Sequence, residues 1–175
     1  MSTNKITDFL KYTRPSTLDL QLVDLRAEAE DALRLIEVQA TEKRVETRVE
    51  TEGELRPVMA DKDTLRSVFT NLVINSLQAI DGEGGNIVIR IINDEHGLAR
   101  VEITDTGRGI APEDISKVFE PYYSTKETGT GLGLPIVRKV IEDHGGTVSV
   151  SSKLGGGTTF TIALPTKAEG GKGEG

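Results

Sequence analysis

Two glycine clusters dominate the middle of the chain. Asp105-Thr106-Gly107-Arg108-Gly109-Ile110 opens the stretch, and Thr128-Gly129-Thr130-Gly131-Leu132-Gly133-Leu134 closes it. Glycines at this density let backbone N–H groups approach an anion closely. The second cluster feeds straight into an apolar-periodic segment, Leu132 to Asp143, expected to be a helix. Its N–H groups and the positive end of the helix dipole then face the loop, which is the physical requirement of a phosphate site. Asp105 stands at the end of an alternating strand, where its carboxylate can accept a hydrogen bond from a ligand amino group.

The flanking periodicities build an α+β architecture. Residues 4–13 carry Ile6, Phe9 and Leu10 at helical spacing and stop at Arg14-Pro15, as the tail of a helix does. Leu18 to Val23 reads as extended. A helix over 25–42 has its apolar face in Ala29, Ala32, Leu33, Ile36 and Ala40. Strands are expected over 45–51 and 57–60. A helix over 64–80, capped by Asp61 or Asp63, buries Leu65, Val68, Phe69, Leu72, Val73, Ser76 and Leu77. Strands over 86–92 and 98–104 form a hairpin, Pro112 starts a short helix to about Val118, and 147–152 with 158–164 form a closing hairpin. The result is a two-layer α/β sandwich, a mixed, mostly antiparallel sheet of about five strands on three helices. The domain proper is 17–166, after the helix tail and linker of 1–16 and before a Gly/Lys/Glu-rich tail, 167–175, of disordered composition.

Composition excludes several classes. The 175 residues include no Cys, so disulfides and thiolate chemistry are absent. With 28 acidic against 21 basic residues the net charge is −7, which argues against nucleic-acid binding. The sequence has no apolar run near ~18 residues. A cytoplasmic domain is expected, with room for a membrane anchor in a longer parent chain. The glycine spacing is not that of a P-loop or a dinucleotide fingerprint, and H-R-D, D-F-G and H-E-x-x-H are missing.

What the chain does carry is an ordered constellation. Asn71 and Asn75 come first, then Asp105-x-Gly107-x-Gly109, Phe119, Gly129-x-Gly131-x-Gly133 and Gly156-Gly157-Thr158. On these residues the chain resembles the ATP-binding catalytic domain of bacterial sensor histidine kinases, in the superfamily shared with type II topoisomerases, heat-shock chaperone ATPases and mismatch-repair proteins. The resemblance spans about residues 20–165 and implies the Bergerat-type ATP-binding fold with an ATP lid. The spelling Tyr123-Ser124-Thr125-Lys126 with the second glycine cluster looks most like the nitrogen-regulation branch.

The resemblance also implies roles. Asn75 would contact Mg²⁺, with Asn71 in support; these amides and Gln78 lie at offsets of four and three on one helix face, and an amide oxygen suits this hard cation. Asp105 would accept from the adenine amino group, with Gly109 giving the base edge room, Thr158 completing the contact through a water, and Gly107 a further candidate of the same site. Ile110, Leu132 and Phe160 are candidates for the apolar walls or for plain core. Thr130, Gly131, Leu132 and Gly133 would cradle the phosphates, and Lys126 would add charge at the γ-phosphate. Residues 111–130 read as the lid, with Phe119 as its hinge anchor and Tyr122 and Tyr123 packing or meeting a partner.

Asn71 occupies the place where hydrolytic relatives hold a Glu base. An amide has no useful basicity, so the acceptor must already be nucleophilic, as a neutral imidazole is. His96, in a polar turn, and His144, at a helix end where a cation suits the dipole, do not lie in a dimerisation helix and are not expected to be that acceptor or metal ligands. The expected partners are therefore ATP, a histidine-bearing dimerisation domain and a response regulator receiver domain. A domain without its dimerisation helices is expected to be a monomer. The alternative reading is a nucleotide-binding regulatory module that switches a partner by lid conformation without phosphoryl transfer.

Overall fold

The computed structural model describes residues 17–94, 96–121 and 133–166. In chain order the elements are β1 (Leu20–Val23), α1 (Leu25–Leu35), α2 (Glu37–Glu42), β2 (Val45–Glu52), β3 (Val58–Asp61), α3 (Lys62–Ala79), β4 (Gly85–Asn93), β5 (Leu98–Asp105), α4 (Pro112–Ile115), α5 (Gly133–Asp143), β6 (Thr147–Ser152) and β7 (Thr158–Pro165). A five-stranded sheet runs β2-β4-β5-β7-β6, and β1 pairs with β3 in a separate two-stranded ribbon. The large sheet is mixed, because β2 lies parallel to β4 while the other pairs are antiparallel. That parallel pair needs a crossover, and β3 with α3 supplies it.

Period-two alternation decides which face is covered. Ile87, Ile89 and Ile91 on β4, Val101 and Ile103 on β5, and Phe160, Ile162 and Leu164 on β7 are buried. They meet the apolar stripes of α1, α3 and α5. Each such side chain contributes roughly 1.5–3 kcal/mol by leaving water. The opposite face stays polar, with Arg90 reaching Glu52 at 2.7 Å and Glu102 at 3.6 Å.

Asp61 is the N-cap of α3, its Oδ1 accepting from the Thr64 N–H at 3.1 Å. Its other oxygen accepts from the Asp19 N–H at 3.0 Å, and these bonds, the Asp19 one foremost, hold its carboxyl below the usual range. The Asp61 N–H donates to His144 Nε2 at 2.9 Å, while His144 Nδ1 lies 2.7 Å from the Val140 carbonyl. A backbone N–H only donates and a carbonyl only accepts, so this ring is the neutral Nδ1–H tautomer. It acts as a tie between α5 and β3, not as the dipole-paired cation that its position at a helix end suggests.

One expected helix is two. The segment 25–42 breaks at Ile36, whose φ of −102° and ψ of 7° leave the helical region. The apolar spacing continues unbroken across the break, and Ile36 and Ala40 stay buried while Leu35 and Val38 are exposed. The periodicity therefore held no sign of the break, and no Gly or Pro marks it. The helix after Pro112 is also shorter than expected, one turn ending at Ile115.

The C-terminus of α3 lacks a glycine cap, since Ile80 takes an extended conformation. Its last carbonyls are taken from outside. Lys43 Nζ donates to Leu77 O at 3.0 Å and Ile80 O at 2.5 Å. Arg108 donates its backbone N–H to Ala79 O at 2.8 Å and its guanidinium Nη1 to Gln78 O at 3.1 Å. Two cations at the negative end of the helix also suit its dipole. Lys43→Met should leave the Ile80 carbonyl without this donor and cost about 1–3 kcal/mol, read as a lower urea midpoint with an unchanged slope. An unaltered midpoint would show that the lysine contributes nothing to the helix end.

Candidate functional site

The site assembles where β5 ends. Asp105 closes that strand and is 2 % exposed. Its Oδ1 accepts from the Gly107 N–H at 2.8 Å, a local Asx turn, and its buried Oδ2 has no hydrogen-bond partner among the described residues. The Ser76 hydroxyl from α3 and the Thr158 N–H lie close enough to the carboxylate to favour its ionised form as donors, but Oδ2 makes no well-aligned hydrogen bond. Burial is the largest influence on this carboxyl and pushes it above the usual aspartate range. The Gly107 N–H, Ser76, the Thr158 N–H and Arg108 pull less strongly the other way.

The loop after Asp105 is wedged between α3 and the turn joining β6 to β7. A Cβ at Gly107 would stand 2.5 Å from Ala79 O, so α3 can approach only a glycine there. Gly109 has φ +77°, and a Cβ on it would lie 2.1 Å from Lys153 O. Both positions need glycine for reasons of fit, before any ligand is considered. The Gly155 N–H donates to Arg108 O at 2.7 Å, strapping the second turn to the first.

Thr158 is buried on β7 directly opposite Asp105 in the ladder. Its hydroxyl lies 2.8 Å from Ser152 Oγ, which also accepts from the Ile110 N–H at 2.8 Å and donates to Gly157 O at 2.8 Å. Sequence reasoning missed Ser152. The available signal was its place on the inward face of β6 after Val148 and Val150, a polar residue where the stripe called for an apolar one. Ile110 is half-buried at the rim, as a wall residue would be, whereas Phe160 is wholly buried and belongs to the core.

The helix face carrying Asn71, Asn75 and Gln78 borders the same region. Asn71 and Asn75 are half-buried and Gln78 is exposed. Asn71 Nδ2 lies 3.5 Å from Ser67 Oγ, a long contact one turn back. A Cβ built on Gly133 would sit 3.5 Å from Asn71 Oδ1, so the first residue of α5 meets this amide. The chain thus brings Asn71 to Gly133, Asp105 to Thr158 and Ile110 to Ser152, while Gly107 and Gly109 seat the loop against Ala79 and Lys153. Lys126, Thr130, Gly131, Leu132, Gly129, Tyr122 and Tyr123 lie outside the described residues.

Phe119 packs edge-on against Phe160, centroids 6.2 Å apart, with the Arg138 guanidinium 5.8 Å over its ring. Val118 beside it is buried. The start of the expected lid is therefore anchored to the core. Among the described residues no group of three or more acidic or histidine side chains could hold a metal ion. Among the same residues no helix is long and apolar enough to cross a membrane.

Comparison with known proteins agrees with this geometry. The family described as histidine kinase-, DNA gyrase B-, and HSP90-like ATPase matches residues 60–168. The sensor histidine kinase ZraS of Escherichia coli K12 is 38% identical over 161 residues, which cover 91% of this chain and 34% of that protein. The signal transduction histidine-protein kinase AtoS of the same strain is 36% identical over 170 residues, 97% of this chain and 28% of its own length. The chain thus spans about a third of these curated relatives. Among solved structures, the nucleotide-free catalytic domain of histidine kinase ThkA superposes with a TM-score of 0.78 at 32% identity, covering 87% of this chain and 99% of that one. Full-length ShkA in complex with AMPPNP superposes at 0.83 with 28% identity, covering 93% and 35%.

A raised carboxyl has a definite consequence for stability. Between the ordinary aspartate value and the raised one, the folded state binds more protons than the unfolded state at Asp105, so its charge destabilises the fold as pH rises through that window. Asp105→Asn keeps an acceptor for Gly107 without the charge. It should raise the melting temperature of the unliganded domain at pH 7, and the gain should fade as pH falls toward the ordinary aspartate value. A lower melting temperature at pH 7 would show that the charge is already compensated.

Proposed function

The chain belongs to the family of histidine kinase-, DNA gyrase B-, and HSP90-like ATPases, and we propose that it binds ATP with Mg²⁺ and transfers the γ-phosphoryl group to a histidine on a separate dimerisation domain. The observation that carries this reading is the buried carboxylate of Asp105, opposite Thr158 in the ladder, one of whose oxygens makes no well-aligned hydrogen bond. A carboxylate so placed calls for a donor, and the 6-amino group of adenine is one. Gly109 and Ile110 receive the base edge, and Gly107 fixes the loop on α3. The amides of Asn75 and Asn71 fit a hard cation that keeps its waters and bridges phosphates. Held there, Mg²⁺ would supply charge neutralisation on the phosphate oxygens. Thr130, Gly131 and Leu132, with Gly133 as the first residue of α5, take the phosphates, and Lys126 adds charge at the γ-position.

In the transfer, an unprotonated imidazole nitrogen of the acceptor attacks the γ-phosphorus. The bond from that phosphorus to the β–γ bridging oxygen breaks, and ADP leaves. Asn71 cannot take a proton, so this chain contributes position and charge stabilisation while the acceptor supplies its own nucleophilicity. Two properties of its neighbours support the reading: ShkA was solved with AMPPNP bound, and ThkA was solved with the response regulator TrrA. A receiver domain is the proposed downstream partner, and the isolated domain is proposed to be a monomer.

The test is calorimetric titration with AMPPNP, with and without Mg²⁺, followed by mixing the domain with its dimerisation domain and labelled ATP. Saturable binding should weaken about 10- to 100-fold in Asp105→Asn, the loss of one charge-assisted hydrogen bond. Phosphohistidine should form on the dimerisation domain. Tight binding without phosphohistidine would favour the regulatory module, and no binding would overturn both readings. Asn71→Glu should raise hydrolysis of ATP; an unchanged rate would remove Asn71 from the place beside the γ-phosphate.

A further inference from the structure

The hydrogens around Ser152 can be assigned by counting. Its hydroxyl has one hydrogen and two lone pairs. The Gly157 carbonyl, 2.8 Å away, can only accept, so it takes the Ser152 hydrogen. The Ile110 N–H, also at 2.8 Å, can only donate and occupies one lone pair. The remaining lone pair faces Thr158 Oγ1 at 2.8 Å, so in this contact the threonine is the donor. Thr158 has then spent its only hydrogen, and what its oxygen can still offer is a lone pair. Asp105, opposite it in the ladder, offers a buried carboxylate, likewise an acceptor.

We propose that Ser152 is a specificity-determining positioning residue: by fixing the hydroxyl of Thr158 as a donor toward itself, it keeps the base-binding end of the site acceptor-only. Such a site welcomes a purine that presents an amino group at its six-position. It opposes one that presents a carbonyl there, because two acceptors would then face a third with no hydrogen between them. The same serine holds the Ile110 N–H, so the rim of the pocket and its hydrogen-bond polarity are set by one side chain. Ser152 touches no part of the nucleotide in this account. It acts through Thr158 and Ile110. Replaced by alanine, it frees the Thr158 hydroxyl to rotate and donate, and the site can then satisfy a carbonyl.

The inference rests on the adenine-binding reading above, and the experiment separates the two. Dissociation constants for ATP and GTP are measured on the whole chain by calorimetry for wild type, Ser152→Ala, Ser152→Thr and Thr158→Val, with thermal unfolding of each. Wild type should prefer ATP. Ser152→Ala should narrow the ATP-to-GTP preference by about ten-fold or more, the worth of one hydrogen bond, and Ser152→Thr should restore it. Should Ser152→Ala fail to fold, Thr158→Val carries the test, since it deletes the oriented oxygen and should narrow the preference likewise. If Ser152→Ala weakens ATP and GTP equally, or lowers the melting temperature with the preference intact, Ser152 is merely structural and the inference falls. Equal affinity of wild type for both nucleotides also overturns it. Wild type binding neither overturns the adenine reading and the inference with it.

Discussion

The docking of the 105–109 loop on the C-terminus of α3 is the contact from which the rest of the site follows. A helix end leaves carbonyls without partners, and a buried end must find them elsewhere. Here Arg108 gives Ala79 its backbone N–H and Gln78 its guanidinium, while Lys43 covers Leu77 and Ile80 from the other side. The same bonds that satisfy the helix fix the path of the loop. Gly107 is pressed to the helix backbone, Asp105 is drawn under the surface, and Gly109 must turn with positive φ against the β6–β7 turn. The helix that carries the candidate metal-binding amides and the loop that carries the candidate base acceptor are therefore one rigid piece.

How legible this was depends on whether a feature is local. The cap, open between Asp61 and Asp63 in the sequence, falls to Asp61, and the strand expected over 86–92 forms, with Ile87, Ile89 and Ile91 as its buried face. The Asp105, Gly107, Gly109 pattern is equally local, and its first residue pairs with Thr158 across two strands. The break at Ile36 left no trace, since the apolar spacing of 25–42 suits a continuous helix as well as a broken one. The parallel pairing of β2 with β4 depends on where α3 delivers the chain. Lys43 and Ser152 look like ordinary surface residues in the sequence, because what they do is defined by carbonyls and hydroxyls from distant segments. Tertiary hydrogen-bond networks have no period to read.

An Asx turn and a ligand-accepting role are compatible at Asp105. One carboxylate oxygen makes the Asx turn that any loop aspartate might make, and this is what aims the other oxygen. The turn is thus the means of presentation. His144 shows the reverse case. Both ring nitrogens are occupied by backbone groups, so its whole hydrogen-bonding capacity is used in holding α5 to β3.

These two residues mark the difference between a polar group that serves the fold and one that the fold carries at a cost. Glu28 is buried but meets Arg66 at 3.2 Å, and Thr158 is buried but meets Ser152. Asp105 and Ser76 are buried side by side, and neither Oδ2 nor Oγ makes a well-aligned hydrogen bond. Burial without a partner is unfavourable in any fold, and the cost here falls on the strand end where the two glycine turns converge. Simple exchange to apolar residues of similar size would relieve it. The arrangement makes physical sense if a donor-bearing ligand completes it, because the desolvation already imposed on the carboxylate is then not imposed again when the ligand arrives. The energy that the empty fold forgoes becomes affinity and selectivity for the molecule that supplies the missing hydrogen.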